Sequence, residues 1–108
     1  GIMCNIMVCL AVWIGFSART VADKVLGILL PISFFVAAGF AHCVANMFFL
    51  PTGLLMKTMG FGASVANVGA LDLGAIFYNI SAATIGNIIG GAVVGLAYWF
   101  IYNQKKVK

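Results

Sequence analysis

Residues 25–56 read VLGILLPISFFVAAGFAHCVANMFFLPTGLLM, a stretch without one charged side chain and with the chain's only histidine, His42, near its middle. As a straight helix these residues would run roughly 48 Å at about 1.5 Å each, against a hydrocarbon core of about 30 Å. The stretch is too long for one simple crossing. Tilt absorbs part of such an excess, but Pro31, Gly39, Pro51 and Gly53 point to kinks, or to a helix broken into two halves.

The rest of the chain fits a membrane setting. Hydrophobic residues make up 64% and charged residues 7%, and the mean hydropathy is +1.15, far outside the range of soluble domains. A soluble chain of this size would leave much of that apolar surface in water, because a domain of about 100 residues buries only about two-thirds of its unfolded surface. The net charge of +4 does not indicate nucleic acid, since the basic residues form no patch with interleaved aromatics. Residues 1–18 and 80–102 are two further uncharged runs of membrane-crossing type. The expected order is therefore a helix at 1–18, a connection at 19–24, the broken or kinked crossing at 25–56, a Gly/Ala/Asn-rich connector at 57–79, a helix at 80–102 and a tail at 103–108. The chain opens on Gly inside an apolar run, with no basic region before it, and is expected to be the C-terminal part of a longer protein.

Cytoplasmic loops collect Lys and Arg. Arg19 and Lys24 flank one connection and Lys105, Lys106 and Lys108 end the chain, while only Lys57 falls on the opposite side. This places the 19–24 connection and the tail in the cytoplasm and the 57–79 connector in the periplasm. Tyr98, Trp99 and Tyr102 then form an interfacial aromatic belt.

The informative residues at membrane depth are the few polar ones, because each needs a partner or a wet cavity. His42 and Asn46 are four apart and share a helical face, with Gly39 leaving room one turn earlier. An imidazole and an amide together can donate hydrogen bonds to an anion, and histidine titrates near neutral pH. The alternative is a structural histidine bonded to backbone freed by the break. Asn5 in the first run and Asn87 in the last offer one amide each, either as glue between helices or as pathway lining. Gly86-x-x-x-Gly90 and Gly91-x-x-x-Gly95 give the last helix two small-residue tracks for close packing.

Metal and enzyme chemistry find no constellation. Cys4, Cys9 and Cys43 lie in apolar runs without paired spacing and with no second histidine, so no metal or other cofactor is expected. The two acids, Asp23 and Asp72, lie outside the apolar runs, and no nucleophile–base pair can be assembled.

Three segments carry a resemblance: GIMCNIMVCLAVWIG, GFAHCVANMFFLPTGLL and TIGNIIGGAVVGLAYWFIY. Together they resemble the last three membrane segments of the formate/nitrite transporter family. The resemblance implies an all-α polytopic membrane protein with an aquaporin-like inverted-repeat fold and a broken helix around His42, of which this chain is about half. It also implies a homopentamer with one pore per protomer. His42 is then the central pore histidine, Asn46 lies beside it, Asn5 and Asn87 are pore-side polar residues, and Phe35 and Val8 contribute to apolar constrictions. The residue before the histidine, often acidic in this family, is Ala41 here.

On this basis the expected activity is passage of small monovalent anions across a prokaryotic inner membrane, formate first, then nitrite or hydrosulfide, with His42 coupling passage to protons. The expected partners are membrane lipid, the N-terminal half of the same protein and four further protomers. The rival reading is a non-conducting membrane subunit in which His42, Asn5, Asn46 and Asn87 only hold helices together.

Overall fold

A computed structural model describes residues 1–62, 64 and 67–104. Helix α1 covers Ile2–Ser17, α2 Val21–Ala37, α3 Cys43–Thr58 and α4 Leu73–Gln104, with a short 3-10 turn at Val68–Ala70 before the last. No strand occurs among the described residues, and the molecule is elongated, 64 × 30 × 17 Å.

The long uncharged stretch is two helices. Gly39 makes the break: with φ at 68° it adopts a left-handed conformation that most residues avoid. Its N–H bonds to the Val36 carbonyl and the Phe40 N–H to the Phe35 carbonyl, the paired bonds that close the end of a helix without leaving its carbonyls bare. Phe40 then folds back edge-on against Phe34, with ring centroids 6.0 Å apart, the apolar contact that accompanies this ending. Helix α3 stops in the same way at Gly60, with φ at 82° and Phe61 bonding back to Met56.

Pro31 and Pro51, expected as kinks or breaks, are both accommodated inside helices. Gly53 faces Leu71 at packing distance and ends nothing. Gly39 likewise does not sit one helical turn before His42. It terminates α2, so His42 opens the next helix and does not continue the previous one.

Two boundaries differ from the sequence expectation. Helix α2 starts at Val21, not at 25, because Thr20 and Asp23 form a reciprocal capping box, each side chain bonded to the other's backbone N–H at 3.1 Å. Helix α4 starts at Leu73, not at 80, because Asp72 caps it: its carboxylate accepts from the Ala75 N–H at 2.6 Å. The connector is correspondingly shorter. Residues 63, 65 and 66 of it, and 105–108 of the expected tail with its three lysines, lie outside the described residues.

Helix α4, about 48 Å long by its rise per residue, organises the rest and is the one described helix long and apolar enough to cross a membrane by itself. Helix α1 packs against α4 and α2, and α3 packs against α4. Helices α1 and α4 run parallel, since Gly1 lies at Gly86 and Asn87 while Trp13 stacks on Tyr98 with centroids 4.0 Å apart. Helix α2 turns back along α1 after the short connection at 18–20, with Gly27 against Ile14, and Met7 and Leu10 share a groove with Leu30 and Phe34. Helix α3 continues in the direction of α2 toward the start of α4, where the Lys57 ammonium donates to the Gly69 and Leu71 carbonyls at 3.1 and 2.7 Å. Helices α2 and α3 are thus one interrupted crossing. Arg19 and Lys24 lie at one end of the bundle and Lys57 at the other.

Candidate functional site

Three pieces of chain meet halfway along α4: the start of α1, the break between α2 and α3, and Asn87. The break frees backbone groups that a continuous helix would pair internally. Asn87, only 6% exposed, takes up several of them. Its Oδ1 accepts from the Cys43 N–H at 2.9 Å, and its Nδ2 donates to the Ala41 carbonyl at 3.1 Å and to the Gly1 carbonyl at 2.8 Å. One N–H on one side and two carbonyls on the other admit a single orientation of the amide. The side chain therefore bridges the peptide groups on either side of His42.

His42 is half-buried and is the N-cap of α3, with φ −108° and ψ 118°. Its Nδ1 accepts from the Ala45 N–H at 3.2 Å. A ring nitrogen that accepts carries no proton, so the neutral imidazole holds its hydrogen on Nε2. Nε2 has no hydrogen-bond partner among the described residues. Of the N–H groups that open α3, those of Cys43 and Ala45 are paired as described, whereas those of His42 and Val44 find no partner among the described residues. The break thus offers one imidazole and two peptide donors at the positive end of a helix dipole. Phe35, 9% exposed, stacks on the His42 ring with centroids 5.9 Å apart and planes 24° apart. Each of these groups can donate a hydrogen bond to a small anion, and Phe35 supplies an apolar wall at the imidazole.

The remaining candidates divide. Asn46, one turn into α3, donates to the Asn79 side-chain oxygen at 2.8 Å, a pairing across helices of the kind the rival reading expects. Asn5 donates to the backbone carbonyl of Asn87 and does not reach His42's cap. Asn87 has both amide hydrogens committed to backbone, so it holds the break and leaves no donor for a passing anion. Val8 lines a groove between α1 and α4 with Cys9, Val12, Gly91 and Gly95, while Phe35 contacts the imidazole itself.

The glycines also separate. A Cβ at Gly90 would collide with the Ile2 carbonyl oxygen, one at Gly86 would lie 3.1 Å from the Gly1 Cα, and one at Gly91 would lie 2.7 Å from the Asn5 amide nitrogen. Gly95 meets nothing within 4 Å. The three cysteines are free thiols, and the described residues hold no group of three side chains able to bind a metal.

The clamp was the functional feature least visible beforehand. Its one signal in the sequence is a carboxamide inside the apolar run 80–102, in a chain whose other long apolar run must break.

The family model described as formate/nitrite transporter matches residues 1–100. The protein named formate channel FocA from Escherichia coli is 43% identical over 111 aligned positions, which cover 94% of this chain and 39% of that protein. The uncharacterized transporter YrhG of Bacillus subtilis is 47% identical over 103 positions, covering 94% of this chain and 34% of its own length. Among solved structures, a pentameric formate channel with formate bound superposes with a TM-score of 0.79 at 44% identity, over 94% of this chain and 43% of that one. The chain thus spans about two-fifths of the length of these relatives.

Proposed function

Because this chain belongs to the formate/nitrite transporter family, a family of helical membrane proteins, we propose that it forms part of a pathway for small monovalent anions, with His42 at its centre. Formate is the first substrate, with nitrite and hydrosulfide as further candidates. Relatives are named formate channels, and one solved neighbour is titled a formate channel with formate bound. The observation that carries the reading is the set of donors at the break: the His42 Nε2–H and the His42 and Val44 N–H groups, all without protein partners among the described residues, with buried Phe35 stacked on the imidazole.

An anion leaving water for an apolar passage loses hydration worth many kcal/mol. Fixed donors at a helix N-terminus replace part of that shell without reorganising. Because Nδ1 already accepts from the Ala45 N–H, the neutral ring acts as a hydrogen-bond donor through Nε2. The proposed coupling to protons runs through this same imidazole. The assembly is a homopentamer in a prokaryotic inner membrane, as the pentameric neighbour supports. The excess of basic residues at the 19–24 and C-terminal end places that end in the cytoplasm.

The reading in which nothing permeates draws support from Asn5 and Asn87, whose amides bond to backbone. The unpartnered donors at His42 favour permeation. Flux of formate, nitrite, hydrosulfide and lactate into liposomes carrying the full-length protein decides between the two. Permeation requires formate flux above that of empty vesicles, reduced in His42→Phe. Flux equal to empty vesicles, or unaffected by His42→Phe together with an unaltered pH profile, overturns it.

A further inference from the structure

We propose that Asn87 is a positioning residue for His42: through the Ala41 carbonyl and the Cys43 N–H it fixes the peptide units on both sides of the imidazole, and so determines where the Nε2–H donor stands. The inference rests on the anion-pathway reading of His42 and adds a residue from a different helix whose side chain touches no anion.

The geometry supports this on three counts. Asn87 lies 46 residues from Ala41 and 44 from Cys43, yet it is bonded to both at 3.1 and 2.9 Å. Its third bond, to the Gly1 carbonyl at 2.8 Å, and the return bond from the Asn5 amide to its backbone carbonyl anchor it to α1, so the clamp is held from behind. Finally, α2 ends on its own internal bonds at Gly39, which leaves the segment from Ala41 to Cys43 as the part of the break that needs outside partners. An ordinary glue asparagine would join two helices; this one closes around a single residue.

Small displacements are enough to matter, since misplacing a donor by about 1 Å can cost about a hundredfold in rate. The test is a double-mutant cycle on formate flux, in liposomes carrying the full-length protein, with oligomer size checked by gel filtration. Asn87→Ala is expected to lower flux about tenfold or more and to change its pH profile. In a His42→Phe background the same substitution is expected to change flux by less than about twofold, because its target is gone.

Cys43→Pro provides a second route if Asn87→Ala does not fold. It removes the N–H that Asn87 accepts, at a first helical position where proline is favoured, after a residue already in the extended conformation that proline imposes on its predecessor. It is expected to act in the same direction and to be equally silent with His42→Phe. Wild-type flux and pH profile in whichever of the two variants assemble overturn the inference, as does a full independent loss on top of His42→Phe. If His42→Phe itself transports normally with an unaltered pH profile, the pathway reading falls and the positioning role falls with it; if His42→Phe is impaired, only the positioning role is at stake.

Discussion

Phe35 and His42 stand on opposite sides of the helix break and stack ring on ring, 5.9 Å between centroids and 24° between planes. Phe35 sits in the last turn of α2, and His42 is the cap residue of α3. The ring is therefore the apolar wall against which the imidazole rests, and it is contributed by the half-helix that the histidine does not belong to.

Removing that wall should loosen selection by size. Phe35→Ala is expected to raise lactate flux relative to formate in liposomes, while Phe35→Leu, which keeps most of the bulk, is expected to leave the ratio nearer to that of the parent. The lost ring contact is worth about 0.5–1.5 kcal/mol beyond the area it buries. An unchanged ratio in Phe35→Ala would show that the ring does not face the pathway.

His42 serves as a helix cap and, on the proposed function, as a donor, and the two roles can be separated. Asparagine is among the best capping residues, so His42→Asn is expected to unfold within about 0.5 kcal/mol of the parent, whereas His42→Phe is expected to lose about 1 kcal/mol through the uncapped Ala45 N–H. Formate flux is expected to fall in both. Thermal unfolding in detergent, alongside flux, reads the difference.

Gly39 meets nothing within 4 Å where a Cβ would stand, so replacing it tests backbone conformation alone. Gly39→Ala is expected to cost about 1–2 kcal/mol at its φ of 68°, and Gly39→Asn less, since asparagine tolerates the left-handed region better. Equal stability of Gly39→Ala and the parent would mean that the break does not depend on this residue's freedom.

The paired glycine tracks of α4 should respond unequally. Gly90→Ala drives a methyl group into the Ile2 carbonyl and is expected to lose about 1–3 kcal/mol as α1 is pushed away. Gly95→Ala, with open space around it, is expected to leave the α1–α4 pairing undisturbed. Crosslinking between cysteines placed on the two helices distinguishes separation from simple loss of stability.

Much of the architecture is legible in the amino-acid sequence. Residues 25–56 are too long and too apolar for one straight crossing, which required an interruption. The family resemblance puts the interruption around His42, but residue types alone do not single out the residue that makes it, because Pro31, Gly39, Pro51 and Gly53 are all potential breakers. The outcome depends on Phe40 reaching back to Phe34 after a left-handed glycine, a choice made by local packing. The two early helix starts, at Val21 and Leu73, were missed for one reason. Asp23 and Asp72 register as charges that end an apolar run, whereas physically they cap the helices that follow. At the site, His42 stood out as the lone intramembrane ionisable group. The clamp by Asn87 did not, because sequence spacing says nothing about which of several asparagines will be brought against freed peptide groups more than forty positions away.

Asn87 lies about midway along the 32 residues of α4, and the donor face of His42 is held at that same level. A full crossing of one elementary charge is worth about 2.3 kcal/mol per 100 mV of membrane potential. An anion that reaches this level has traversed roughly half of the field, so its occupancy there is tilted by about 1 kcal/mol for every 100 mV. On the anion-pathway reading proposed above, the helix break is therefore an electrical waypoint as much as a chemical one: the voltage across the membrane governs, with the pull of the donors, how often an anion is found beside His42.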